Sequence, residues 1–83
     1  MDTAKCAAVL KTVELGNLTA AAEALGYTAS GMSRAVASLE AELGFPLFTR
    51  SKAGVTLTPD GRAMLPALSE LVAAQRACDE QAA

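Results

Sequence analysis

The chain has no histidine, no tryptophan and only two cysteines, Cys6 and Cys78, near opposite ends of its 83 residues. Those absences exclude much. Two distant thiols have no metal-ligand spacing, and without histidine a structural zinc site lacks its other donors, so no metal and no cofactor is expected. No serine or cysteine sits in a nucleophile motif and no glycine-rich loop could cradle a phosphate. Asp60, Glu70 and Glu80 are better read as solvated or dipole-favourable charges than as an acid/base pair. An enzyme is not expected. No apolar run approaches the ~18 residues of a membrane span, and Met1-Asp2-Thr3-Ala4-Lys5 does not open a signal peptide. The expectation is a soluble cytoplasmic protein with the two thiols reduced and filling space on helix faces.

Aromatic residues make up 4% of the chain although 52% is apolar, much of it alanine. A core of that kind is thin and helix-dominated, and so short a chain sits near the lower limit for burying one unaided. A second copy would be a natural cover. The sequence has no repeat, no charge block and no low-complexity tract.

Helix punctuation is plentiful. Cys6, Val9, Leu10 and Val13 mark one face of a first helix over Thr3–Leu15, closed by Gly16. Asn17 or Thr19 can cap a short second helix over Thr19–Leu25, where Ala21 and Ala22 permit close helix approach and Gly26 is the stop. Thr28 caps a third, in which Met32, Val36, Leu39 and Leu43 form a buried stripe ended by Gly44 and Pro46. Leu47–Arg50 and Val55–Thr58 are short β-prone runs around the turn Ser51-Lys52-Ala53-Gly54. Leu47 and Leu57 are expected to face the helices, and Met32, Val36, Leu39, Leu43, Phe45 and Phe48 to form core. From Pro59 a last helix begins, capped by Thr58 and favoured by Asp60 in its first turn. Pro66 should kink it or loosen its second turn.

The fold class is therefore mainly α with a small β-hairpin, a winged helix-turn-helix of three helices, a two-stranded wing and a C-terminal linker helix. Residues 1–58 would form the winged helix-turn-helix domain and 59–83 the linker or dimerisation helix. Such a unit presents one helix at an angle suited to the DNA major groove. The outer face of the third helix carries Ala29, Ser30, Ser33, Arg34 and Ala37, with Glu40 and Ala41 later. Its first turns are short-chained and polar, which suits close approach to a polyanion. The overall charge of −2 argues the other way. Between Tyr27 and Thr56, however, Arg34, Arg50 and Lys52 outnumber Glu40 and Glu42, and most acids lie elsewhere.

The candidate DNA-binding residues are Thr19, Thr28, Ala29, Ser30, Ser33, Arg34, Arg50 and Lys52. Arg34 could take guanine O6 and N7 or a phosphate, or else pair with an acid such as Glu40. Ser30 and Ser33 suit phosphate or base contacts, and Thr28 suits a cap that also meets phosphate. Arg50 could bind phosphate or pack its stem over Phe48, and Lys52 at the wing tip could meet the backbone. In the last helix Met64, Leu65, Leu68, Leu71, Val72 and Gln75 make a three–four seam. It is too exposed for a lone domain, so the same helix of a second chain is the economical cover.

These residues resemble the N-terminal domain of LysR-type transcriptional regulators over about residues 3 to 80. The resemblance is carried by Thr19-Ala20-Ala21-Ala22-Glu23-Ala24-Leu25, Ser33-Arg34, Val36 and Leu39-Glu40. It continues through Glu42-Leu43-Gly44, Pro46-Leu47-Phe48-Thr49-Arg50 and Gly54-Val55-Thr56-Leu57-Thr58 before Gly61. No single piece is decisive, but the ordered set is specific. It implies a bacterial cytoplasmic regulator that binds an interrupted palindromic operator in double-stranded DNA as a homodimer through its C-terminal helix. It also implies a small-molecule effector acting through a domain absent from these residues, and the chain is expected to be a segment of a longer protein. One departure stands out: where the family commonly has Ser-Gln at the start of the recognition helix, this chain has Thr28-Ala29. Alanine cannot hydrogen-bond a base but can touch a thymine methyl. The alternative from another class is a winged-helix protein-interaction or dimerisation module without DNA binding. A molybdate-type or MarR-type winged helix would differ in the placing of the last helix.

Overall fold

The computed structural model describes residues 1–82. The elements run α1 (Thr3–Leu15), α2 (Leu18–Leu25), α3 (Ala29–Leu43), β1 (Phe48–Ser51), β2 (Gly54–Leu57) and α4 (Pro59–Ala82). Polar side chains start the helices. Asp2 accepts from Ala4 N–H at 2.9 Å, Asn17 from Ala20 N–H at 3.0 Å, Thr28 from Gly31 N–H at 3.0 Å and Thr58 from Gly61 N–H at 2.9 Å. Each satisfies one of the N–H groups a helix start leaves free. Asn17, not Thr19, caps α2, which begins one residue earlier than the pattern predicts. Left-handed glycines end α1, α2 and α3, as at Gly16, whose N–H donates to Thr12 C=O at 2.8 Å.

The hairpin is antiparallel, with Phe48 opposite Leu57 and Ser51 opposite Gly54. Both strands differ by a residue from the runs expected, for a physical reason. Beyond Phe48 and Leu57 only one bond of the next pair forms, from Thr58 N–H to Leu47 C=O at 2.9 Å, because Leu47 N–H is bound by the Glu40 carboxylate and Thr58 C=O accepts from Arg62 N–H of α4. At the other end Gly54 (φ 125°) lies against the α1–α2 turn. A Cβ there would come within 2.6 Å of Gly16 C=O, and Val55 N–H reaches that same oxygen at 3.4 Å. Glycine is needed on both counts.

α1 is the hub, packed against α2, α3 and α4. Cys6, Ala8 and Val9 meet Ala21 and Ala22 of α2, Met32, Val36 and Leu39 of α3, the hairpin-root residues Leu47 and Phe48, and Leu68 and Val72 of α4 in one buried cluster. Leu43 and Phe45, expected in the core, are half-buried at its edge. The one buried polar side chain among the described residues, Thr12, donates to Ala8 C=O at 2.8 Å, so its hydroxyl is not left unpaired. α4 spans Pro59 to Ala82, with Pro66 inside it. The proline ring is exposed, so the bond it forfeits to the Arg62 carbonyl lies on a solvated face.

Candidate nucleic-acid interface

Burial divides α3 cleanly. Met32, Val36 and Leu39 face the core, whereas Ser30, Arg34, Ala37 and Ala41 recur on the exposed side. Thr28 and Ala29 at the helix start are exposed as well. Thr28 Oγ accepts its capping bond and lies 3.5 Å from Ser30 Oγ, either of which can donate to the other, leaving one of the two O–H groups for an outside acceptor. The exposed half of α3 from Thr28 to Ala37 thus bears no side chain longer than serine or threonine except Arg34. A phosphate or base edge can approach its backbone closely.

Arg34 has no acidic partner among the described residues. The single ion pair among the described residues joins Lys11 and Glu14 at 2.8 Å, and Glu40, the partner considered from sequence, is committed elsewhere. Its Oε2 accepts from Leu47 N–H at 2.6 Å and from Phe48 N–H at 3.3 Å. Glu40 is therefore turned onto the wing and is half-buried, which corrects its placing on the outer face of the helix. No local signal marks it: Glu42, nearer the same helix end, is exposed, so a place near the C-terminus does not by itself say which carboxylate turns onto the wing.

The wing brings a second cluster. Arg50 donates from Nη1 to Ser33 Oγ at 3.4 Å, joining β1 to α3, so its guanidinium is directed across to α3. Arg50 and Lys52 line a shallow depression of about 300 Å³ together with Asn17, Leu18 and Thr19 at the start of α2. Thr19, Arg50 and Lys52 are thus brought together, and Ser33 is joined to them by the Arg50 bond, whereas Arg34 stands apart from the depression on the exposed side of α3. Asn17 is a lining residue that the sequence assigned only to capping.

The seam expected on α4 is split. Leu68 (1% exposed) and Val72 (6%) are buried within the chain, because α1 packs along that face of α4. They already have a partner and are corrected from dimer contacts to core. Met64 and Leu65 are half-buried, while Leu71 (42% exposed) and Gln75 face outward. Beside them an open groove of about 310 Å³ runs between α1 and α4, its apolar lining including Ala7, Leu10, Leu25 and Val72.

Nothing else among the described residues offers a chemical site. There is no cluster of metal-ligating side chains, and no helix is long and apolar enough to cross a membrane. Burial pushes the Cys6 thiol above its ordinary value, with Asp2 adding to the shift, so it is held neutral and inert, whereas Cys78 is exposed.

Three helices, a hairpin pinned to the third and a long following helix define a winged helix-turn-helix protein. Residues 4–62 match the bacterial regulatory helix-turn-helix protein pattern of the lysR family. The chain belongs to that family. It is 43% identical over 76 residues to the HTH-type transcriptional regulator IlvR of Caulobacter vibrioides, covering 92% of this chain and 25% of that protein. It is 40% identical over 77 residues to the HTH-type transcriptional regulator BlaA of Streptomyces cacaoi, covering 93% and 24%. The chain thus spans about a quarter of the length of these relatives. Among solved structures, 98% of it superposes on VV2_1132, a LysR family transcriptional regulator, with a TM-score of 0.91, 33% identity and 28% of that chain covered. It also superposes on the protein of a CbnR_DBD–DNA complex, with a TM-score of 0.87, 32% identity, and 98% of this chain and 94% of that one covered.

Proposed function

We propose that this chain is the DNA-binding part of a bacterial LysR-type transcriptional regulator and reads double-stranded DNA as a homodimer. The observation that carries the reading is the unpaired Arg34, set on an otherwise short-chained exposed face of α3, the helix to which Arg50 of the wing is joined at Ser33. α3 enters the major groove, with Arg34 as the bidentate reader of a base edge and Ala29 close enough to touch a thymine methyl. Thr28, Ser30 and Ser33 supply hydroxyls, while Thr19, Arg50 and Lys52 bind the phosphate backbone beside the groove. The CbnR_DBD–DNA complex, matched along nearly the whole of both chains, supports the same use of this fold.

Two-fold pairing through the outward side of α4, at Leu71 and Gln75 with Met64 and Leu65 at its margin, gives an interrupted palindromic site. A regulator of this kind acts in the cytoplasm, and an effector works through a region outside this chain. The overall charge of −2 makes non-specific attraction weak. Sequence preference then rests on few contacts.

The test is fluorescence anisotropy with duplex DNA titrated across salt, for the unaltered chain and for Arg34→Ala, followed by selection from a random library. Arg34→Ala is expected to cost about 1–3 kcal/mol in specific binding and to relax preference at one position. Unchanged affinity and preference would remove Arg34 from the interface. A folded dimer with no salt-dependent binding would instead make the winged helix a protein-interaction scaffold.

A further inference from the structure

Glu40 sits on α3 two turns beyond Ser33, and both reach β1. Ser33, Ala37 and Glu40 follow a four–three spacing and so share a stripe of the helix. At one end of that stripe Ser33 Oγ accepts from Arg50 Nη1 at 3.4 Å. At the other, the single atom Glu40 Oε2 accepts from the N–H groups of both Leu47 and Phe48. The same Leu47 is held from the opposite side, where its C=O accepts from Thr58 N–H at 2.9 Å. The hairpin strands are four residues each, too short to fix their own direction. The wing therefore takes its angle from what ties it to the helices: Val55 N–H reaches Gly16 C=O at 3.4 Å near the turn, and the root is gripped by α3 through Glu40.

We propose that Glu40 is a positioning residue for DNA recognition. It touches no DNA, and it locks the wing to the recognition helix so that Arg50 and Lys52 meet phosphate while Arg34 lies in the groove. The inference rests on the DNA-binding reading above. It explains why an acid is kept near a polyanion-facing surface and near a helix C-terminus, where bare electrostatics disfavours it. Two helix-constrained contacts, at Glu40 and at Ser33, make α3 and the wing one rigid reading head.

The test compares Glu40→Ala with Glu40→Gln in this chain. Binding to a fluorescein-labelled random-sequence duplex is measured across salt, and amide hydrogen exchange is measured at Leu47 and Phe48. Each phosphate that is no longer neutralised makes the slope of log K against log salt shallower by about 0.9. If Arg50 and Lys52 both move off the backbone in Glu40→Ala, the slope is expected to fall by roughly two. Exchange at Leu47 and Phe48 should quicken in the same variant. Glu40→Gln should keep both the slope and the protection, since one amide oxygen can replace the one carboxylate oxygen that accepts both bonds. If Glu40 acts only as a charge, the two variants will bind alike. If it only stabilises the fold, melting will fall with the slope unchanged. Either result overturns the proposal. Should Glu40→Ala fail to fold, Glu40→Asp, which keeps the charge but shortens the reach, must show the same shallower slope. If the unaltered chain binds no DNA, the DNA-binding reading fails. The grip on the wing is then judged by exchange alone, and unaltered protection in Glu40→Ala defeats it.

Discussion

Replacing Gly61 by alanine sets two effects of opposite sign against each other. Gly61 is the third residue of α4, and in a helix alanine is favoured over glycine by about 0.8–1.0 kcal/mol, less in a first turn. By local preference the change stabilises. The tertiary structure says otherwise, because Gly61 is buried against the backbone of Leu47. An added Cβ would press on the Leu47 carbonyl oxygen and lie 3.0 Å from its carbon and 3.1 Å from the Leu47 Cα. That peptide cannot move aside easily. Its oxygen accepts from Thr58 N–H at 2.9 Å and from Thr58 Oγ at 3.4 Å, and the N–H of the same residue is bound by Glu40.

Overpacking typically costs about 1–3 kcal/mol, and an obstacle made of tethered backbone belongs at the upper end. After the gain in helix preference, a net loss of about 2 kcal/mol is expected. For a domain of this size each kcal/mol is worth about 4–8 °C, so the melting midpoint should fall by roughly 8–16 °C. Urea and thermal unfolding followed by circular dichroism, at two protein concentrations, would measure it. An unchanged or raised midpoint at both would refute the argument that the wing root cannot yield to α4.

Other outcomes follow from the burial pattern. Leu68→Ala should cost about 2–5 kcal/mol of stability at every protein concentration, because Leu68 packs within the chain. Leu71→Glu should instead leave the fold intact and weaken self-association in sedimentation equilibrium, and undiminished association would exclude this side of α4 as the dimer seam. A thiol reagent should modify Cys78 at once in the native chain and Cys6 only after denaturation, since burial holds the Cys6 thiol neutral. Rapid native modification of both would mean that α1 opens far more readily than a core helix should.

Much is legible in the sequence because its signals are local. Gly16, Gly26 and Gly44 stop helices wherever they are placed, since a left-handed backbone favours glycine. Thr28 and Thr58 cap because their hydroxyls reach N–H groups three residues ahead. The stripe of Met32, Val36 and Leu39 is one face of a helix whatever it meets. The exposed positions of Thr28, Ala29, Ser30 and Arg34 follow from that stripe by helical geometry, and Lys52 and Arg50 follow from the hairpin turn.

What periodicity cannot say is which neighbour takes each face. The α4 pattern reads as one seam, yet the packing of α1 gives Leu68 and Val72 to the chain's own core and leaves Leu71 and Gln75 outside. Glu40 lies seven residues before Leu47, and only the fold of the intervening turn shows that its carboxylate reaches the wing. The elements, their ends and the polar face of α3 are thus encoded locally, because they depend on contacts within a few residues. The grip of α3 on the wing, the close fit of Gly61 on Leu47 and the division of α4 arise only in the folded chain. They depend on groups far apart in the sequence meeting at van der Waals or hydrogen-bond distance.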